Sequence, residues 1–197
     1  MKLPEIKTPQ LPPNLEFKFE GKSENFELGE FWRWALSDLV ENRNRGILAE
    51  FIIKKGLGLV STTRLEWDAY DLITADNNKI EVKSSAYIQA WEQKEFSKIN
   101  FGIAPTKTLL KDNSYSEDYR RHADIYIFCL LAHKDQVTIN PMNLEQWKFY
   151  IVTCQTLDAK LKSQKTLSLS TLESLDHIQC KYDQLKESLK AIKGTIT

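Results

Sequence analysis

The chain has 197 residues, enough for one domain with a substantial core and an appendage, and its 27 basic and 27 acidic residues balance to a formal charge of zero. That balance, with a pI near 6.8, excludes a global electrostatic pull toward nucleic acid, so any such contact must come from local clusters such as Arg43/Arg45, Lys54/Lys55 or Arg120/Arg121. Three widely spaced cysteines without a CxxC pair exclude a disulfide framework or a zinc site and point to reduced thiols in a cytoplasmic protein. No apolar run approaches the roughly twenty residues that span a bilayer, so no membrane partner is expected, and Met1-Lys2-Leu3-Pro4 does not read as a signal peptide.

Residues 1–27 hold four of the six prolines, Pro4, Pro9, Pro12 and Pro13, and read as an extended arm. Phe31, Trp32, Ala35, Leu36 and Leu39 have helical spacing, which predicts a first helix over Leu28 to Val40 packed on the core. On this reading Trp32 and Trp34 serve packing rather than base stacking. A second helix is predicted over Arg45 to Lys55 from Ile47, Leu48, Phe51 and Ile52, with Gly56 and Gly58 as stop signals. Glu50 lies within it and admits two readings, an acid of a functional site or a surface residue paired with Lys54 at i+4.

A short strand is expected around Leu59 to Leu65. Beyond it, Asp71-Leu-Ile-Thr and Lys79-Ile-Glu-Val-Lys have the apolar alternation of a hairpin built on Asp76-Asn77-Asn78. Side chains on a strand alternate faces, so Glu81 and Lys83 project together while Val82 points the other way. With a three-residue Asp76-Asn77-Asn78 loop, Ile73 lies opposite Glu81 and Asp71 opposite Lys83, and the three charged groups converge. A loop one residue shorter or longer sends Asp71 to the wrong face. Asp68 is the competing acid, and strand parity favours Asp71.

Further strands are expected at Ile99–Ile103, at the continuous apolar run Ile125–Leu131, and at Trp147–Thr153. Ser170-Thr171-Leu172-Glu173 has capping-box spacing and opens a helix running to about Lys193. These elements make an α/β fold: a central mixed β-sheet flanked by helices, with a C-terminal helix. The division expected is an N-terminal arm at 1–27, a core at 28–160 and a C-terminal helical segment at 161–197. His133 and His177 lack metal-ligand spacing.

Asp71 followed by Glu81-Val82-Lys83, with Glu50 on the helix before, resembles the PD-(D/E)xK nuclease superfamily in a prokaryotic branch, whose core is restriction endonuclease-like. The resemblance covers about residues 45–131. It implies Mg²⁺- or Mn²⁺-dependent hydrolysis of phosphodiester bonds, most naturally in DNA, in restriction, repair or defence. It assigns Asp71, Glu81 and the Val82 carbonyl to the metal, Lys83 to the attacking water and Glu50 to the helix acid. Asp68, Gln89 and Ser84 are accessory candidates, Ser85 adds a second hydroxyl, and Arg120 and Arg121 are candidate phosphate grips. A homodimer or a protein partner is compatible with this reading. The rival is a catalytically inactive nuclease-fold module that binds nucleic acid or a partner protein.

Overall fold

The computed structural model describes residues 6, 8–60, 63–64, 69–107 and 115–193. Its centre is the apolar run 125–131, which forms strand β6 (Ile125–Leu131) with all seven residues buried. Numbering the other strands in chain order, β6 is flanked by β4 (Lys79–Ala86) in parallel, Ile80 facing Ile125 through Ala86 facing Leu131, and by β7 (Trp147–Thr153) antiparallel. The short strands β3 (Leu72–Ile73) and β9 (Ile178–Cys180) close the two edges, giving the order β3-β4-β6-β7-β9.

Period-two alternation divides the sheet's side chains between two cores. Ile80, Val82, Ile125, Ile127, Cys129, Phe149 and Ile151 pack with α2 (Asn42–Leu57) and α5 (Leu185–Lys193). Tyr126, Phe128, Leu130, Tyr150 and Val152 pack on the opposite face with α3 (Cys154–Leu161) and with a two-stranded sheet of β5 (Asn100–Gly102) and β8 (Thr166–Ser168). The strand expected at 99–103 therefore forms, but pairs outside the main sheet. The expected α/β class, with a mixed central sheet flanked by helices and a helix at the C-terminal end, is what the chain adopts.

Several local expectations differ. The N-terminal arm contains a hairpin of β1 (Glu16–Phe19) and β2 (Lys22–Glu27). Glu20 at φ 49° and Gly21 at φ 80° form its two-residue turn, the left-handed pair that a tight hairpin demands, and Phe17 stacks on Phe26 at 4.6 Å. Helix α1 spans Leu28–Leu36 and stops short of Val40, because the Asp38 carboxylate accepts the amides of Val40 and Glu41 and bends the chain. It buries none of its residues, and Trp34 is 84% exposed rather than packed.

Helix α2 begins at Asn42, with the Glu41 carboxylate accepting the Asn44 amide, and ends at the left-handed Gly58. Its buried face is Arg45, Ala49, Ile52, Ile53 and Leu57, rotated from the stripe the spacing suggested, so Phe51 is half exposed. Of the strand expected at 59–65, Leu59, Val60, Thr63 and Arg64 form none, and the remainder lies outside the described residues.

The single C-terminal helix expected from Ser170 is divided into α4 (Leu169–Ser174), β9 and α5. Ser168, not Ser170, caps α4 by accepting the Thr171 amide. Pairing of Ile178–Cys180 with β7 outweighs continued helix, since it adds an edge to the main sheet and buries Cys180. Segment 161–193 thus contributes directly to the core.

Gly56 is not a stop signal but a contact between helices. A Cβ there would lie 2.6 Å from Leu185 Cδ1 and 3.1 Å from Tyr182 Cε2. Gly56→Ala gains about 1 kcal/mol of helix propensity but overpacks a buried contact at a cost of about 1–3 kcal/mol. The expected net result is a lower midpoint in denaturant and in thermal unfolding, whereas Gly46→Ala, which meets open space, raises both.

Candidate active site

The β3–β4 hairpin carries the acids and lysine singled out above. Leu72 pairs with Ile80 and Ile73 with Lys79. The Thr74 amide then donates to the Asn78 carbonyl at 3.0 Å and the Asn77 amide to the Thr74 carbonyl at 2.9 Å, so the loop is Ala75-Asp76-Asn77 with Asn77 left-handed at φ 67°. The loop has the expected odd length but sits one residue earlier than predicted. Parity is preserved while the partner changes: continued by one position, this register sets Asp71 opposite Glu81 rather than Lys83. Lys193 of α5 grips the Asp76 carboxylate at 2.7 Å and ties the hairpin tip to the body.

Strand β3 ends where Asp71 begins its role. The Asp71 amide donates to the Ile80 carbonyl at 3.0 Å, and its carboxylate accepts the Val82 amide at 2.7 Å. A side-chain oxygen thus takes the place of the backbone carbonyl that a longer strand would present to β4. Next to it Glu81 receives Lys83 Nζ at 2.5 Å, and both side chains are largely covered. From α2, Glu50 accepts Nε and Nη2 of Arg64 at 2.5 and 2.8 Å. Glu50 is thus held by a bidentate fork from a residue fourteen positions on.

These groups share one electrostatic neighbourhood. Burial pushes the Asp71 carboxyl up to about 7, with the charges of Glu81 and Glu50 adding to the rise and the Val82 amide and Lys83 opposing it. Tyr126, opposite Glu81 on β6, has its phenol raised by burial and then by the Glu81 charge. Among the described residues, no three His, Cys, Asp or Glu side chains already form a metal cage. Glu50 and Glu81 are turned onto cations instead.

The remaining candidates fall elsewhere. Asp68 lies outside the described residues. Ser84 faces the α2 side and accepts Arg45 Nε at 3.3 Å. Gln89 is buried and is held by Arg45 Nη1, the Ala86 carbonyl and Ser97, not by the acids. Arg45, expected in a surface basic cluster, is buried and also donates to the Val40 carbonyl and Asn42 Oδ1. Ser85 is buried as well.

Arg121 is withdrawn from any phosphate role. Its side chain has no exposure and donates to the carbonyls of Ile103, Lys162 and Gln164 and to Asp158. Arg120 stays exposed, donates to His122 Nδ1 at 3.3 Å, and lines a cleft with Lys79, which shares its face of β4 with Glu81 and Lys83.

Arg64 is the site residue that sequence reasoning missed. The strand expected around 59–65 assigned it no partner, and only the folded chain brings it to Glu50. Both line a groove of about 590 Å³ with Asp71, Tyr70, Ile47 and Trp32.

The raised Asp71 carboxyl fixes the sign of a pH effect. Between its ordinary value of 3.8 and about 7 the folded chain binds more protons here than the unfolded chain does, so stability falls as pH rises through that window. Asp71→Asn removes the charge and keeps an oxygen for the Val82 amide. With chelator present it is expected to stabilise the protein by about 1–3 kcal/mol at pH 8 and to match wild type near pH 4, measured by thermal unfolding.

A family model described as bacteriophage T4 endonuclease IV matches residues 33–171, a span that contains Glu50, Asp71, Glu81 and Lys83 and most of the central sheet. No curated protein matches the chain. Because the family model covers well over half of the sequence, with the hairpin and its charged cluster inside the match, the chain belongs to the bacteriophage T4 endonuclease IV family, a family of nucleases.

Proposed function

We propose that the protein is a divalent-metal-dependent endonuclease of the PD-(D/E)xK type that hydrolyses phosphodiester bonds in DNA. The observation that carries the reading is the gathering of Asp71, Glu81 and Lys83 at the edge of β4 where β3 stops, within a chain of an endonuclease family.

The donor set fits a hard cation. Asp71 and Glu81 offer carboxylate oxygens, and the Val82 carbonyl points to the same edge as the amide that Asp71 accepts. Burial chiefly lifts the Asp71 carboxyl and the charges of Glu81 and Glu50 add to it, and a Mg²⁺ or Mn²⁺ ion would relieve that added charge. Asp71, Glu81 and the Val82 carbonyl would hold such an ion, which would supply phosphate neutralisation and a more acidic water. Glu81 would have to release Lys83 to join such an ion; the freed ammonium would orient the attacking water, and only after giving up a proton to solvent could the neutral Lys83 amine take the water's proton. Glu50 adds negative charge from the helix side. Lys79 and Arg120, on the Glu81 face of the sheet, are placed to meet neighbouring phosphates of the strand. By the superfamily resemblance, products carry 5′-phosphate and 3′-hydroxyl ends. The three free thiols, two of them buried, support a cytoplasmic setting.

The test is cleavage of plasmid, linear duplex, single-stranded DNA and RNA with Mg²⁺ and with Mn²⁺. Lys83→Ala is expected to lose on the order of a hundredfold or more in rate while still binding metal, and Glu81→Gln to lose metal binding as well as cleavage. Wild-type protein that cuts none of these substrates with either ion, or Lys83→Ala that cuts at the wild-type rate, returns the chain to the non-catalytic binding module.

A further inference from the structure

Among the cationic side chains around the acids, Arg64 is placed unlike the others. Lys83 belongs to the strand that carries Glu81, and Arg45 and Arg121 are locked inside the protein by backbone and side-chain acceptors. The Arg64 side chain is 39% exposed, lines the groove onto which Asp71 opens, and forks onto Glu50, whose own side chain is only 13% exposed. Solvent reaches the pair from the Arg64 side and screens it, so holding Glu50 is a weak reason for an arginine here. The planar fork that matches a carboxylate also matches two oxygens of a phosphate.

The charge arithmetic of the site makes this fork an exchangeable contact. Glu50, Asp71 and Glu81 are three carboxylates in one neighbourhood, with Arg64 on one and Lys83 on another. A divalent cation arriving among them brings two positive charges beside the Arg64 guanidinium and competes with it for Glu50. A phosphodiester arriving in the groove offers the guanidinium a new anionic partner. Resting on the metal-dependent reading above, we propose that Arg64 is a movable cation: it neutralises Glu50 in the ligand-free protein and passes to a backbone phosphate of the bound nucleic acid when a divalent cation takes over the acids. Arg64 is then both a competitor of the metal and a contact of the substrate.

These two roles have opposite signs, which makes them separable from a structural role. The test uses the full chain and its Arg64→Ala and Arg64→Gln variants, with folding checked by thermal unfolding. Mn²⁺ titration by calorimetry is expected to show several-fold tighter uptake in both variants than in wild type. Binding of a fluorescent DNA oligonucleotide in Ca²⁺, followed against salt, is expected to weaken in both. The slope of log affinity against log salt should fall by about 0.7–0.9, the value of one lost phosphate contact. Equal or weaker Mn²⁺ uptake in the variants, or an unchanged salt slope, overturns the proposal. If wild type takes up Mn²⁺ and Glu81→Gln does not, while the Arg64 variants behave as wild type, only the Arg64 inference fails. If wild type itself takes up no Mn²⁺, the metal-dependent reading fails and this one with it.

Discussion

The parallel ladder between β4 and β6 is the constraint on which the rest depends. Strand β6 is buried over its whole length, so its partner is held in register along seven residue pairs. That register decides what β4 does with its alternating sequence. Ile80 and Val82 are drawn into the core beneath α2, and Lys79, Glu81 and Lys83 are left on the other face, half covered. A slip of one residue would bury two or three charges and expose the apolar set, which no hydrogen-bond partner on the helix side would offset. The charged face of β4 is therefore fixed by the burial of its other face.

A second constraint sits at the free edge of that strand. Strand β3 is only two residues long, and past it the Asp71 carboxylate accepts the Val82 amide that a longer neighbour would have bonded. The edge is thus closed by an ionisable group instead of a peptide carbonyl. Burial and two neighbouring carboxylates make that group costly to ionise, while the amide and Lys83 partly offset the cost. Carboxyls raised in this way are commoner at functional sites than among ordinary surface ion pairs.

The arginines show how a single residue type divides by environment. Arg45 and Arg121 are deep, and each donates to several acceptors whose positions they fix: the β4 end with Ser84 and Gln89 in one case, the α3 end with Lys162 and Gln164 in the other. Burial lowers Arg45 to about 10, yet it remains charged at neutral pH. Arg64 and Arg120 keep solvent contact and stand beside the groove and the cleft on either side of the hairpin. A chain of zero net charge can still present local positive charge to a polyanion in this way.

Much of this was already determined by the sequence alone. The seven-residue apolar run at 125–131 reads as a strand buried on both faces, and 147–153, apolar except for Lys148 and Thr153, reads as a second strand. Glu81 and Lys83 share a face by strand alternation whatever the register, and an odd loop carries Asp71 to that face, so the charged cluster was legible from spacing. The tertiary structure decided the rest. It set the loop at Ala75–Asn77, which moved Asp71 from Lys83 to Glu81; it broke the last helix, because β7 offered an unpaired edge to Ile178–Cys180; and it buried Arg45 and Arg121 while exposing Trp34. It also brought Arg64 to Glu50. Each of these depends on which distant surface a residue meets, and local periodicity carries no information about a partner that only folding brings within reach.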